Sequence, residues 1–324
     1  MNAHSTLRAI AAFFLLCAAA AAYAAEAYPT RPVRLLLPFA PGGGADIIAR
    51  IITPKLQDAL GEPWVIDNRG GAAGNIAAEI VARAAPDGHT VFLGFSTVLT
   101  VNPLLYKLPF DVERDLVPVI MLTSGQYMLV VHPSVKVDNL KDFVNLAKAR
   151  PSSLNYASAG IGTPLNLAAE LFKSRAGITM THIAYKGGGP ASTAVLAGEV
   201  QVLFASLPSS LPHVKTGRLK ALAVTGPKRS HAMPDLPTVA ESGFPGYQVT
   251  SWYGFLVPAR TPAHIVKTLH DEAAKVMQLP DVREQMTRQG LDVSVQGPRE
   301  FAAQIREETA LWAKVIKSAG IRLE

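Results

Sequence analysis

The sequence predicts an α/β protein of two lobes joined by two chain crossings, with a ligand cleft between them. Three observations carry this reading. Strand-like apolar runs alternate with helix-like runs along the chain. Two crossings, near 124–127 and 247–251, divide the alternation into separate sets. Glycine-rich loops join strand to helix in both sets. The expected division is a leader over 1–24, a first lobe of 25–125 with 249–324, and a second lobe of 126–248.

In the first lobe, Val33–Leu37 reads as a strand and Asp46–Leu60 as a helix. Trp64–Asp67 is a strand, Gly74–Ala85 a helix and Thr90–Gly94 a strand. That βαβαβ rhythm implies a parallel sheet covered by helices. Right-handed crossovers then bring each strand-to-helix loop to one sheet edge, where ligands bind.

The stretch 126–131 reads as a strand leaving this unit. Helices over 139–149, 164–176, 189–197 and 207–216 then alternate with strands over 154–158, 182–185, 200–204 and 219–225. Asn139 or Asp138 serves as a cap for the first of these helices. Thr163 and Pro164 suit the N-cap and N1 positions of the second. An irregular Pro- and Gly-rich stretch follows over 226–246. A strand over 249–257 and helices over 262–277, 281–289 and 299–319 complete the chain.

The first residues do not belong to this pattern. Arg8, the apolar run from Ala9 to Cys17, an alanine tract and Ala22-Tyr23-Ala24 form a cleavable secretory leader. No later run is as apolar, so the expected address is the periplasm, as a soluble protein. Cys17 is the only cysteine and lies inside the leader, leaving the mature chain without disulfide, thiolate nucleophile or cysteine metal site. Of 324 residues 49% are hydrophobic and 17% charged, and the formal net charge is +6. Removing Arg8 leaves 30 bases against 25 acids, or +5. The charges are scattered, which excludes a nucleic-acid tract.

The loop Pro38-Phe39-Ala40-Pro41-Gly42-Gly43-Gly44-Ala45-Asp46 opens the first helix. Glycines let backbone N–H groups approach a guest, and a helix start offers them with a positive dipole end. A carboxylate or phosphate fits such a place. Asp46 is the expected N-cap. No Lys-Ser or Lys-Thr follows, and Ile47 occupies the third small position of a dinucleotide fingerprint, so neither nucleotide motif is present. Loops of the same kind recur at 158–164 and 185–190. Together the three suggest an anion clamp built mostly from main-chain amides.

Catalytic patterns are missing. The stretch from Gly94 to Val98 lacks the last glycine of a nucleophile elbow. The histidines at 89, 132, 182, 213, 231, 264 and 270 form no metal spacing, and a lone His182 beside a strand reads as structural. Asp67 and Asp87 sit beside turn residues, and Trp252–Phe255 reads as core.

PFAPGGGAD, the run Val65-Ile66-Asp67-Asn68-Arg69-Gly70-Gly71-Ala72-Ala73-Gly74-Asn75, the 155–164 loop, Tyr185–Ala191, Pro234–Glu241 and Trp252–Ala259 together carry a resemblance. The chain resembles the Bug family of periplasmic solute-binding proteins, receptors of tripartite tricarboxylate transporters. The resemblance spans essentially the whole chain after the leader. It implies a two-lobed periplasmic-binding-protein (Venus flytrap) fold. It also implies a monomeric receptor without cofactor or catalysis that passes a small organic acid to an integral-membrane permease. Family positions for the ligand map onto Phe39, Ala40, Gly42, Gly43 and Asp46 in the first lobe, and onto Ser158, Gly160, Thr163, Lys186 and Gly187 in the second. Asn75 and Ser96 match positions that face the cleft. Asn166 and Gln201 depart from the His and Asp often found there. Losing an acid at 201 favours a neutral or anionic distal group on the ligand. A periplasmic sensor for a signalling partner is the alternative role, and a secreted hydrolase a more remote one.

Overall fold

The computed structural model describes residues 28–322 except Ala40, Gly43 and Lys186. The leader expected over 1–24 lies outside the described residues. The chain folds as a mixed α/β structure around one ten-stranded sheet.

In the first lobe β1 (Val33–Leu37) pairs in parallel with β2 (Trp64–Asn68) and β3 (Thr90–Phe95). Helices α1 (Gly44–Leu60) and α2 (Asn75–Ala82) connect them. The run Leu35-Leu36-Leu37 is buried without alternation, as a strand covered on both faces requires. Three short helices follow: α3 (Ser96–Thr100), α4 (Asn102–Leu105) and α5 (Val112–Asp115).

The long strand β4 (Leu116–Val131) then runs through both lobes. Its first part pairs antiparallel with β9 (Thr250–Pro258), from Leu116↔Pro258 to Gln126↔Thr250. Its last five residues pair with β7 (Val202–Ser206) and four of them with β8 (Lys220–Val224). A strand starting at 126 was expected; the ten residues before it extend the same strand. Pro118 hid them, because proline ordinarily argues against a central strand. Here the register shifts between Pro118 and Ile120, and a bulge accommodates the missing donor.

The second lobe is built on β5 (Asn155–Ser158), parallel to both β6 (Thr181–Ala184) and β7. Helices α6 (Leu140–Ala149), α7 (Pro164–Ala176), α8 (Gly188–Leu196) and α9 (Leu207–Lys215) cover it. Asn139 caps α6 by accepting from Asp142 N at 2.9 Å. The chain returns through β9 to α10 (Ala263–Gln278), α11 (Pro280–Arg288), β10 (Leu291–Gln296) and α12 (Pro298–Ala319). Sequence patterning missed β10, whose face is only partly buried.

Each lobe has its own core. Leu35, Ile48, Phe92, Trp252 and Phe301 belong to the first, and Phe143, Phe172, Phe204 and Tyr247 to the second. Helix α12 joins both, with Phe301 and Ile305 in the first core and Trp312 and Val315 in the second. The last turns of α12, within the 249–324 stretch expected in the first lobe, pack on the second core. At the crossings Thr225 is fully buried. Its Oγ1 accepts from Tyr127 N at 2.9 Å and donates to Val249 O at 2.6 Å, tying the two crossing segments together.

Candidate ligand-binding site

The first-lobe loop extends beyond the carboxyl end of β1. Asn68 Nδ2 donates to Phe39 O at 3.0 Å, and the Phe39 ring meets Phe95 edge-on at 5.4 Å. Phe95 in turn lies 4.9 Å from Tyr253, placing β9 under the same loop. A Cβ added to Gly44 would stand 2.6 Å from the Tyr253 hydroxyl, so α1 can begin here only with glycine unless that tyrosine moves. Gly42 turns with φ +86°. Ala40 and Gly43, expected at the ligand, lie outside the described residues.

Asp46 is not the N-cap. It is the third residue of α1, and its carboxylate reaches back to accept from Gly42 N at 3.0 Å and from Arg50 Nε at 2.8 Å. The Arg50 hydrogen bond, with help from the Gly42 amide, holds the carboxyl below the usual aspartate range against the opposing effect of burial. The negative charge at this helix start is thus paired, and the side chain fastens the loop.

Asn75 begins α2, and its Oδ1 accepts from Asn102 Nδ2 at 2.6 Å. Just before it, Gly74 has φ +94°, and a Cβ there would come within 2.9 Å of Pro38. Ser96 opens α3 at the end of β3. It is buried, and its Oγ has no protein partner among the described residues.

The second-lobe loop is held from behind. Ser158 ends β5 fully buried, and its Oγ accepts from Gly160 N at 3.0 Å. Thr163 does not cap α7 with its side chain; its Oγ1 donates to Gly160 O at 2.6 Å. Asn166, on the first turn of α7, accepts from Gly162 N at 3.0 Å and donates to Tyr156 Oη at 2.8 Å. Tyr156 donates onward to Glu170, which pairs with Lys173 at 2.7 Å. Asn166 therefore supports the loop through both ends of its amide. Gly187, with φ +119°, leads directly into α8. Tyr185 N donates to Ser158 O at 2.9 Å, which links the two second-lobe loops. Lys186 lies outside the described residues.

Gln201 is placed elsewhere. Its Oε1 accepts from Asn155 N at 3.1 Å, at the amino ends of β5 and β7. Ser158 lies at the opposite, carboxyl end of β5. Strand polarity thus removes Gln201 from the loop edge, and with it the argument about the distal group. Leu105 of α4 connects the lobes here, standing 2.6 Å from where a Cβ of Gly162 would be.

Ser158 Oγ and His182 Nε2 are 2.6 Å apart, the spacing of a nucleophile and its base. Ser158 is inaccessible, however, and its oxygen is already occupied by the Gly160 amide. Sequence reasoning missed this pair, along with Tyr156 and Tyr253, because its members are far apart in the chain or read as ordinary core. Among the described residues no three His, Cys, Asp or Glu side chains group as metal ligands, and no helix is long and apolar enough to cross a membrane.

Residues 48–321 match the pattern of the tripartite tricarboxylate transporter family receptor. The chain is 35% identical to protein BugT of Bordetella pertussis over 326 residues, with 100% of each chain covered. Rpa4515 of R. palustris, solved with adipate, superposes with a TM-score of 0.85 at 35% identity, covering 91% of this chain and 99% of that one. MatC from Rhodopseudomonas palustris, solved with bound malate, gives 0.80 at 32% identity, covering 89% and 100%. These matches make the chain a member of the tripartite tricarboxylate transporter receptor family, a family of solute-binding receptors and not of enzymes.

Proposed function

We propose that this receptor captures a small dicarboxylate between its lobes and delivers it, in the periplasm, to the membrane permease of a tripartite tricarboxylate transporter. One observation carries the reading. Helices α1, α7 and α8, from both lobes, start directly behind glycine turns at the carboxyl ends of β1, β5 and β6. A helix start concentrates unpaired N–H groups and partial positive charge, which stabilises a carboxylate. Phe39, Gly42, Gly160, Thr163 and Gly187 shape those turns, while Asp46, Ser158 and Asn166 brace them. Ala40, Gly43 and Lys186 belong to the same loops by sequence. Ser96 and Asn75 flank the first-lobe loop. The adipate and malate named for two similar proteins make dicarboxylates the first class to test. The leader read from the sequence supports the periplasmic address. The receptor acts as a monomer.

The test is a thermal-shift and calorimetry panel of mono-, di- and tricarboxylates, aromatic acids and amino acids on the purified chain. A dicarboxylate at about a hundredfold excess over its Kd should stabilise the fold by about 2.7 kcal/mol. Preference for amino acids, or turnover of any bound acid, would refute the proposal. Loss of dicarboxylate uptake on deleting the cognate permease tests the delivery step.

A further inference from the structure

His182 lies on β6, the edge strand of the second lobe, half-buried with its ring stacked on Tyr156 at 4.8 Å. Its Nε2 touches Ser158 Oγ, which also lies 3.0 Å from Gly160 N and 3.1 Å from Gly160 O. A serine hydroxyl has one hydrogen and two lone pairs. Beside a neutral imidazole with a bare Nε2, that hydrogen goes to the ring and the oxygen accepts from Gly160 N. Beside an imidazolium, Nε2–H donates to Oγ, and the serine hydrogen turns to Gly160 O. Gly160 O keeps the Thr163 hydroxyl as a donor in both arrangements and gains the Ser158 hydrogen only in the second, which also carries one more positive charge behind the turn.

We propose that His182 is a positioning residue whose protonation, relayed by Ser158, resets the Gly160 turn and tightens the grip on a carboxylate as pH falls. This inference rests on the dicarboxylate reading above.

Among the described residues the groups facing the ring are few. Tyr156 is the titratable group on β5. Of the three charged groups on α7, Glu170 and Lys173 act on the ring and pair with each other, while Arg175 lies in the last turn. Helix α8, which packs on β5, carries no ionisable side chain. Burial lowers the imidazole pKa, Glu170 opposes that shift and Lys173 adds to it. An ordinary histidine changes charge within the physiological range, which makes this side chain the one to test as a switch.

The test has a ligand-free arm and a binding arm. In amide NMR the Gly160 resonance should titrate with the midpoint of the His182 ring. The titration should disappear in His182→Gln, which keeps a hydrogen-bonding end without the charge. In Ser158→Ala the ring should still titrate while the Gly160 response is lost. For binding, adipate and malate are the probes, at about pH 8 and about pH 5.5. The affinity ratio of wild type to His182→Gln cancels the ligand's own protonation. It should rise from near unity to about three- to tenfold as pH falls. A constant ratio, or a Gly160 amide indifferent to the ring, overturns the proposal. If neither acid binds the wild type at either pH, the dicarboxylate reading fails, and the amide arm alone decides the Ser158 relay.

Discussion

Thr225→Val removes one hydroxyl from the junction of the lobes and leaves the side-chain shape nearly unchanged. The Thr225 Oγ1 accepts from Tyr127 N at 2.9 Å and donates to Val249 O at 2.6 Å, with the residue wholly excluded from water. Valine offers neither function, so a buried N–H and a buried C=O each lose a partner. An unsatisfied buried group costs about 1–3 kcal/mol, so the pair should cost about 2–6 kcal/mol. Thr225→Ser keeps the hydroxyl and deletes one methyl, for about 1 kcal/mol. The assay is urea unfolding of the ligand-free protein followed by tryptophan fluorescence, with Trp252 close to the junction. The valine midpoint should fall well below the serine midpoint at an unchanged denaturant slope. A valine variant within about 1 kcal/mol of wild type, or a serine variant as damaged as valine, would show that the hydroxyl does not hold the crossings.

Gly187→Val should abolish dicarboxylate binding by calorimetry while the chain still folds, because a β-branched residue resists the φ of +119° held there. Asp46→Asn should lower stability by about 1 kcal/mol, since a charge-assisted bond to a solvent-exposed Arg50 is lost. Its affinity should change by less than about tenfold; a larger loss would make the carboxylate a direct ligand contact. Because the folded-state pKa of Asp46 is depressed, its stabilisation is present above the unfolded value and disappears as pH falls through the folded one, a decline that Asp46→Asn should lack in acid-unfolding curves. Glu308, which accepts from Trp252 Nε1 with both oxygens at 2.8 Å, has its carboxyl raised by burial, with Gln304 and Trp252 opposing. Its stability contribution is complete below the ordinary glutamate pKa and is lost as pH rises through the raised value. Glu308→Gln should therefore flatten the pH dependence of the unfolding midpoint on that side.

Most elements were legible because their periods are local. The run from Val33 to Leu37, the helix pattern after Asp46 and the Thr163-Pro164 helix start each declare themselves within a few residues. The strand over 116–125 did not, since Pro118 and the Ser124-Gly125 pair imitate a turn, and only pairing with β9 and β10 makes them a strand. The loops themselves were readable from their glycines. Their supports were less so. Asn166 and Thr163 turn back onto the Gly160 loop, a direction set by the start of α7 rather than by composition. Gln201 was misplaced because spacing along the chain does not reveal which end of a strand a residue occupies. His182 reads as a lone histidine because its partner Ser158 is 24 positions away, on a neighbouring strand.

Helix α12 restrains any movement of one lobe against the other. Two crossing segments alone would allow a swing limited only by the lobes themselves. A rod anchored by Phe301 and Ile305 at one end and by Trp312 and Val315 at the other adds a brace. Any relative displacement of the two cores would have to flex that rod between its anchors or strip the two C-terminal ones from their seat. One helix thus makes the two cores a single mechanical unit, and shortening the chain from its C-terminal end is a direct way to uncouple them.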